Sequence, residues 1–264
     1  VYLTMRIMLF IKYLIMEALE SIVRGVSKLS VKRSERHDVR EIGEQGVFVV
    51  ENFLPESDCN TYMDLIDDYI ADNENSVWRD EVGADERIYF AEKHIPVFSD
   101  FFCDEFIRKV LKGYTGCSVP VGFVLGNKLS LVDGNLGSGG GWHRDTLVSH
   151  QFKAILYLSD VTSNNGPFQY VRGSNRKRSL LKAFFRGEST FGKTRFSDAE
   201  IQTHLDLEGN DVMTFTGKKG TLLLVDTKGI HRGMPLSTGH RYALTTYFWK
   251  HTIPQHIKNL EIGV

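Results

Sequence analysis

The stretch Gly139-Gly140-Gly141-Trp142-His143-Arg144-Asp145-Thr146 contains a histidine and an aspartate one residue apart, directly after three glycines. Residues i and i+2 of a β-strand point to the same face of the sheet. The imidazole of His143 and the carboxylate of Asp145 would therefore converge on one point, which could hold a metal ion or a proton. The pair alone indicates little, because one chance His-x-Asp is unremarkable among nine histidines.

A second segment, Gly220 to Gly233, supplies a partner for this pair. Its apolar run predicts a buried strand that ends in a turn, and His231 lies in this turn. Arg241 begins another predicted strand ten residues later. Two histidines and one carboxylate on one face of an octahedral ion leave three positions open, the arrangement of non-haem Fe(II) oxygenases. The helical HExxH motif of catalytic zinc sites is absent from the sequence.

Arg241 is the candidate binding residue for a co-substrate. A dicarboxylic co-substrate next to a metal ion needs a cationic side chain for its far carboxylate. The planar guanidinium of Arg241 can hold a carboxylate through two parallel hydrogen bonds, a grip that lysine cannot match.

The pattern of residues after Val119 predicts an antiparallel β domain. Short alternating or β-branched runs are separated by Gly, Asn and Asp at Val121 to Val132, Ser149 to Leu158, Phe168 to Val171, Val212 to Thr216, Thr221 to Val225 and Tyr242 to Trp249. Such spacing indicates a sandwich or barrel and not βαβ units.

Upstream of Val119 the sequence predicts one strand and two helices. Gly46 to Val50 is a strand candidate, and Pro55 suits the start of a helix. That helix carries an apolar stripe at Tyr62, Leu65, Ile66 and Tyr69. A second helix is predicted over Asp100 to Leu111. A capping box at Ser197 to Glu200 predicts a further short helix between the later strands.

The chain is predicted to divide into residues 1–45, an N-terminal helix with a linker, and residues 46–264, a single β domain. Arg6 and Lys12 interrupt the apolar N-terminus, and no apolar run approaches the roughly 20 residues of a membrane span. We expect an amphipathic helix packed on the domain, with a membrane-surface or partner-binding helix as the alternative. Residues 27–44 are polar and charged, which indicates a linker or a solvated turn.

Composition argues against several kinds of partner and compartment. The 32 basic and 33 acidic residues nearly cancel, so no global charge favours nucleic-acid binding. The three cysteines, Cys59, Cys103 and Cys117, are odd in number and form no CxxC motif. They indicate reduced thiols in a cytoplasmic protein rather than a disulfide framework or a zinc site.

Taken in order, these motifs resemble the phytanoyl-CoA dioxygenase family of Fe(II)/2-oxoglutarate-dependent oxygenases. The resemblance runs from about Gly46 to Trp249. Its segments are Gly46 to Leu54, Trp142 to Asp145, Asn164 to Pro167, Gly173-Ser174 and Gly220 to His231, followed by Arg241.

The resemblance implies a mainly β fold with flanking helices around a double-stranded β-helix, the jelly-roll or cupin-like core. It implies that His143, Asp145 and His231 hold iron, with no catalytic side chain beyond these ligands. It further implies that Arg241 binds the distal carboxylate of 2-oxoglutarate and that O₂ is the second co-substrate. Related halogenases have a small residue in place of Asp145, so the chain resembles the hydroxylases and desaturases.

Further candidate site residues lie around these motifs. Asn127, Lys128 and Ser130 precede the motif on a predicted strand and are candidates for hydrogen bonds to 2-oxoglutarate, with a solvated strand as the alternative. Trp142 is either a substrate contact or a packing residue. A basic cluster follows Gly173, and we expect it either to form a solvated loop or to attract an anionic substrate over the iron. Its members are Arg172, Arg176, Lys177, Arg178, Lys182 and Arg186.

These inferences predict a dioxygenase that hydroxylates a small, anionic organic molecule and releases succinate and CO₂. Two alternatives remain open at this point: a hydroxylase of protein or peptide side chains, and a jelly-roll binding protein that retains the metal site without turnover. The sequence predicts no nucleic-acid partner and no membrane span, and it does not indicate an oligomeric state.

Overall fold

Two antiparallel sheets organise the part of the chain described by the computed structural model, which comprises residues 2–28, 36–147 and 151–261. The strands are β1 (Val47–Val50), β2 (Trp78–Arg79), β3 (Asp85–Ile88), β4 (Val121–Ser130), β5 (Gln151–Tyr157), β6 (Phe168–Val171), β7 (Val212–Phe215), β8 (Leu222–Asp226), β9 (His231–Gly233) and β10 (His240–Trp249). One sheet has the order β1-β8-β5-β10-β4-β3-β2, and the other has the order β7-β6-β9.

Strand β8 shows why the two sheets form a sandwich. Every residue of β8 is buried, because its two faces serve different cores. Leu222 and Leu224 pack under the helices, whereas Leu223 and Val225 face the smaller sheet. From β7 to β10 successive strands alternate between the two sheets, as in a jelly roll, and the predicted fold class is confirmed.

Helices pack around the two sheets of the described residues. They are α1 (Tyr2–Lys28), α2 (Arg36–Gln45), α3 (Glu56–Asp72), α4 (Ala91–His94), α5 (Phe98–Cys103), α6 (Glu105–Thr115), α7 (Lys177–Phe185), α8 (Asp198–Glu208) and α9 (Gln255–Lys258), with short 3-10 turns at Glu74–Ser76 and Asn259–Glu261. Helices α2 to α6 bury their apolar faces against the larger sheet. Helix α8 begins at Ser197 with the predicted capping box.

Three predictions of local structure were wrong. Residues 36–45 of the predicted linker form α2, because Val39 and Ile42 lie one helical turn apart and are buried in the core; residues 29–35 lie outside the described part. The predicted helix over Asp100 to Leu111 is two helices, since Asp104 leaves the helical conformation and accepts a hydrogen bond from the Ile107 amide to cap α6. Residues 177–185 of the predicted basic loop form α7.

Helix α1 packs against α6 and, through Leu9, Phe10 and Tyr13, against the end of α7 and Phe191. None of the helices in the described ranges combines the length and the apolar character needed to cross a membrane. The division of the chain at residue 45 stays a prediction. The three cysteines are free thiols, in agreement with the odd number and the spacing in the sequence.

Candidate active site

The side chains of His143, Asp145 and His231 meet between the two sheets. Asp145 Oδ1 lies 3.7 Å from His143 Nε2 and 3.9 Å from His231 Nε2. One ligand atom from each residue lies within 4.8 Å of the others, a spacing at which all three can bind one metal ion. The structure therefore brings together the three residues that the sequence singled out.

Backbone hydrogen bonds fix the relative positions of these side chains. The His143 amide donates to the His231 carbonyl at 2.9 Å, and the His231 amide donates to the His143 carbonyl at 2.8 Å. The Asp145 amide donates to the Thr227 carbonyl at 3.1 Å. The segment that carries His143 and Asp145 thus extends the smaller sheet beyond β9, and the period of two directs both side chains to one side.

The glycine loop before His143 requires glycine for two separate reasons. Gly139, Gly140 and Gly141 all have positive φ, between 66° and 90°, where a Cβ is strained. In addition, a Cβ on Gly139 would lie 2.5 Å from His143 Cε1, whereas a Cβ on Gly141 would meet no atom within 4 Å. The loop can therefore reach the imidazole only with glycine at position 139.

We expect Gly139→Ala to weaken metal binding by about 10- to 100-fold, the loss typical of disturbing what orients a metal ligand. The new methyl group must displace the His143 ring. Gly187→Ala is the matched control, because its φ of 70° introduces comparable backbone strain and its Cβ would meet no atom within 4 Å, away from the metal ligands. Titration of both variants with Ni(II), followed by calorimetry, would measure the difference. Equal metal affinities in the two variants would contradict a role for close packing at Gly139.

Both histidines present Nε2 to the shared point. His143 Nδ1 lies 2.9 Å from the Gly141 carbonyl, and His231 Nδ1 lies 2.9 Å from the Gly229 carbonyl. Since a carbonyl only accepts, Nδ1 carries the proton and Nε2 keeps a lone pair. Burial lowers the pKa of His143 to about 4, against the opposing effect of Asp145, and lowers that of His231 well below its usual range. Neutral imidazoles, which are the metal-binding form, are therefore favoured at neutral pH.

A buried lysine accompanies the carboxylate of Asp145. Lys153 Nζ lies 2.8 Å from Asp145 Oδ2 and 4.6 Å from the centre of the Tyr247 ring. Burial alone would raise the pKa of Asp145, but the Lys153 ammonium outweighs it and holds that pKa well below the usual range. Burial likewise opposes the charge on Lys153, but Asp145 raises its pKa. Both groups are therefore charged at neutral pH.

Arg241 is buried and has no carboxylate partner among the described residues. Its Nη1 donates to the Gly166 carbonyl, and its Nη2 donates to Asn127 Oδ1 at 3.3 Å. Its Nε is buried and has no hydrogen-bond partner in the part of the chain that the structure describes. Burial lowers the pKa of Arg241, which means that the fold destabilises the charged form. An uncompensated buried charge of this kind suits the binding of an anion.

One cavity of about 360 Å³ joins these groups, within the range of small-molecule sites at about 300–1,000 Å³. The His-Asp-His group, Arg241 and Asn127 all line it. The other lining residues on which the argument depends are Arg87, Lys153, Arg195, Tyr247, His256 and Ile257.

Two of the three strand residues predicted to contact a co-substrate do not line the cavity. Successive residues of β4 point to opposite faces, so Asn127 faces the cavity and Lys128 and Ser130 face away. Lys128 Nζ instead pairs with Asp67 Oδ1 at 2.7 Å, and Ser130 Oγ lies 3.2 Å from His240 Nδ1. The structure thus separates residues that the sequence grouped together.

Trp142 also lies outside the cavity lining. It is buried, and its Nε1 donates to Asp198 Oδ1 at 3.0 Å. Its ring packs in a cluster with Phe196 and Ile201 and lies under the guanidinium of Arg232. Its contacts are those of a packing residue and not of a substrate contact.

The basic cluster around Gly173 is turned away from the cavity, which contradicts the alternative that it lies over the metal site. Arg176 donates to the Glu44 carbonyl, while Arg172 pairs with Asp211. Arg178 is exposed on α7 and lines a separate shallow groove. The physical reason is the formation of α7, whose packing directs its cations outwards.

The sequence did not single out several cationic and aromatic lining residues. Lys153 carried a usable signal, because a lysine inside the apolar run Gln151–Tyr157 must be paired or exposed. Arg87 carried none, since β3 was not predicted as a strand. His256 reaches the cavity only because the C-terminal helix α9 folds back over it.

Solved structures with a similar fold are non-haem 2-oxoglutarate enzymes. The alpha ketoglutarate dependent epimerase SnoN from nogalamycin biosynthesis has a TM-score of 0.65 at 14% identity, over 86% of this chain and 88% of SnoN. HygX from Streptomyces hygroscopicus, with nickel, 2-oxoglutarate and hygromycin B bound, has a TM-score of 0.59 at 15% identity, over 83% and 89%. EctD from S. alaskensis, with bound Fe, has a TM-score of 0.60 at 16% identity, over 81% and 75%. At these identities the likeness shows the fold.

Sequence comparison gives the family. No curated protein sequence matches the chain. The family model of phytanoyl-CoA dioxygenase (PhyH) matches residues 42–243, a range that contains His143, Asp145, His231 and Arg241. The resemblance inferred from the motifs is confirmed, and the protein is an enzyme of the dioxygenase type. The chain therefore belongs to the phytanoyl-CoA dioxygenase family.

Proposed function

We propose that this protein is a cytoplasmic Fe(II)- and 2-oxoglutarate-dependent dioxygenase that hydroxylates a small, anionic organic substrate. One oxygen atom of O₂ enters the substrate and the other enters succinate, and the first carboxyl group of 2-oxoglutarate leaves as CO₂. The observation that carries the proposal is that the His-Asp-His group lines the same cavity as the buried guanidinium of Arg241, which has no carboxylate partner among the described residues.

The three candidate ligands fit an iron ion. His231 Nε2 is buried and has no hydrogen-bond partner in the described ranges, a costly state unless a metal ion uses its lone pair. The donor set of two imidazoles and one carboxylate is the one that leaves adjacent positions open on Fe(II). When bound, iron and 2-oxoglutarate supply the oxidative decarboxylation that activates O₂ for removal of a substrate hydrogen. His143, Asp145 and His231 hold and orient the ion, with the histidine Nδ1 protons anchored on carbonyls.

Arg241 fits a carboxylate of 2-oxoglutarate. Its free Nε–H and the neighbouring Nη–H groups can present the two parallel donors that a carboxylate accepts. Asn127 fixes one end of the guanidinium, and Asn127 is itself fixed by donating to Asp85 Oδ1. This chain of contacts would set the orientation of the co-substrate before it binds, which lowers the entropy cost of binding.

Charge in the cavity supports an anionic substrate. Apart from Arg144, whose guanidinium lies over the Phe196 ring, the lining cations are Arg87, Lys153, Arg195 and Arg241. Asp145 and Asp85 balance two of these four charges. The charges of Fe(II) and 2-oxoglutarate cancel each other, so about two positive charges remain for the substrate. A carboxylate, sulfate or phosphate ester would neutralise them.

The walls of the cavity support a small molecule over a protein side chain. Helix α9 contributes His256 and Ile257 to the lining, and the aromatic rings of Tyr89, Phe123 and Tyr247 form part of the wall. An apolar wall with a few converging cations suits a compact substrate with one charged end. It also limits the access of water to the reacting centre.

Two measurements test the proposed function directly. Anaerobic addition of Fe(II) and 2-oxoglutarate to the protein should produce a weak visible absorption band. Under O₂, the rate of succinate formation should increase when the substrate is added. This measurement distinguishes an enzyme from a binding protein. Absence of the band in the wild-type protein would contradict the proposal, and a band without succinate formation from any anionic substrate would favour the binding protein.

Arg195→Met should raise the KM for an anionic substrate at least tenfold with a smaller effect on kcat, because Arg195 lines the cavity without an acid partner among the described residues and methionine removes its charge. A neutral amide analogue of the same substrate should be turned over equally by the variant and the wild type. Lys193→Met is the matched control, since Lys193 pairs with Glu200 outside the cavity. An equal loss for charged and neutral substrates would show that Arg195 acts only by holding the Gly139 and Gly140 carbonyls.

A further inference from the structure

Helix α1 carries its apolar residues on the face that is turned to solvent. Nine large apolar side chains of α1 are each at least 36% exposed: Leu3, Met5, Ile7, Met8, Ile11, Leu14, Ile15, Leu19 and Ile22. At 100° per residue they fall on one continuous side of the helix. Proteins rarely leave a contiguous apolar surface of this size uncovered unless it has a binding role.

The buried face of α1 is, in contrast, partly charged. Arg6 is buried and donates to the Glu188 carbonyl at 2.9 Å and to the Phe191 carbonyl at 3.1 Å. Glu17 is buried in an ion pair with Lys228, which follows β8. Both contacts lie on the same side of the helix as the buried ring of Tyr13.

These polar contacts fix which face of α1 points outwards. Rolling the helix to bury its apolar stripe would remove the partners of Arg6 and leave Glu17 and Lys228 as separated buried charges. Breaking a buried ion pair by removing one partner is strongly destabilising. The outward direction of the apolar face is therefore specified by the fold and is not an accident of weak packing.

Helix α7 extends this surface and adds positive charge. The Phe185 ring is 75% exposed, and its centre lies 5.7 Å from that of Phe10 on α1. The same side of α7 carries Lys177 and Arg178. These two cations are exposed and have no acid partner among the described residues, and the same is true of Lys12 on α1.

We propose that the apolar face of α1, together with Phe185, Lys177 and Arg178, is a docking surface for the anionic surface of a lipid bilayer. The helix would lie in the plane of the interface with its apolar side chains among the acyl chains. The three unpaired cations, Lys12 included, would contact lipid headgroups, where each basic residue contributes to binding. This inference does not depend on the proposed enzymatic function.

The charges favour a bilayer over a second copy of the chain. In a two-fold symmetric dimer a surface patch meets its own copy. Lys12, Lys177 and Arg178 would then border an interface with the same cations across it, which like charges oppose. An anionic bilayer instead neutralises all three while it covers the apolar face.

Co-sedimentation of the full-length protein with phosphatidylcholine vesicles, with and without phosphatidylglycerol, tests the proposal. The wild type should bind the anionic vesicles more tightly, and binding should weaken as salt is added. The double variant Ile11→Gln and Ile15→Gln should bind at least tenfold more weakly to both vesicles. The matched control, Leu131→Gln with Leu136→Gln, changes two equally exposed leucines outside this surface and should bind as the wild type does.

The charge variant Lys177→Gln with Arg178→Gln isolates the electrostatic part. Anionic vesicles should bind it about fivefold less tightly for each cation removed, whereas binding to neutral vesicles should not change. Failure of the wild type to bind either vesicle, or undiminished binding by the isoleucine variant, would overturn the proposal. A different result would assign the face to a second copy of the chain. In that case the wild type would not bind vesicles, and sedimentation velocity would show that it self-associates and that the isoleucine variant does not. Thermal unfolding of each variant verifies its fold.

Discussion

Replacing His231 by alanine is expected to abolish the absorption band of the Fe(II) and 2-oxoglutarate complex and to stop succinate formation. His231 supplies a buried Nε2 that has no hydrogen-bond partner among the described residues, so its lone pair is available to a metal ion. Changing even the outer partner of a metal ligand costs about 10- to 100-fold in affinity or activity. Removing the ligand itself should therefore weaken Ni(II) binding by more than about 100-fold, which calorimetry can measure.

His240→Ala is the appropriate control for this experiment. His240 begins β10, is exposed and contacts Ser130 outside the cavity, so its loss should change neither metal binding nor activity. The His231 variant should still fold, because the backbone bonds between positions 143 and 231 do not involve the imidazole. Wild-type metal affinity in a folded His231→Ala protein would refute the assignment of the ligand set.

Replacing Arg241 by methionine is expected to raise the KM for 2-oxoglutarate by about 30-fold or more. Removing one partner of a buried, hydrogen-bonded charge pair costs about 2–5 kcal/mol. Arg241→Lys should recover only part of this loss, because an ammonium cannot give two parallel hydrogen bonds. Initial rates of succinate formation at varied 2-oxoglutarate would give the KM of each variant.

Arg241→Met should weaken co-substrate binding without lowering the stability of the free protein. Among the described residues, the guanidinium of Arg241 donates to the Gly166 carbonyl and to Asn127, and burial lowers its pKa. Methionine removes this buried charge, so the free protein should be as stable as the wild type or more stable. A large loss of thermal stability in Arg241→Met would mean that Arg241 is mainly structural and would contradict its role as the co-substrate site.

The positions of some side chains could be predicted from the sequence, because the spacing of those residues is compatible with one local structure. His143 and Asp145 converge because strand geometry has a period of two, and β8 could be predicted because a fully buried strand is a continuous apolar run. The same rule shows that Asn127 and Lys128 cannot both face the cavity. Which of them does so depends on the pairing of β4 with β10, where Leu129 lies opposite Arg241. That register is set by tertiary contacts.

Other features could not be predicted because they depend on distant partners. Arg176 satisfies its guanidinium on the Glu44 carbonyl, and this contact exists only after α2 has packed. Residues 36–45 looked polar, since only Val39 and Ile42 carry the buried face of that helix. The apolar character of α1 was visible in the sequence, but its outward direction follows from the partners of Arg6 and Glu17 elsewhere in the chain.

The reciprocal backbone bonds between His143 and His231 have a consequence for how the metal and the fold depend on each other. The ligands belong to segments that meet only after the smaller sheet has closed, so an unfolded chain contains no preformed site. Metal binding is then thermodynamically linked to folding: an ion at about 100 times its dissociation constant adds about 2.7 kcal/mol to the stability of the whole sandwich. Chelation should therefore lower the melting temperature of the domain, and iron supply would govern the lifetime of the protein as well as its turnover.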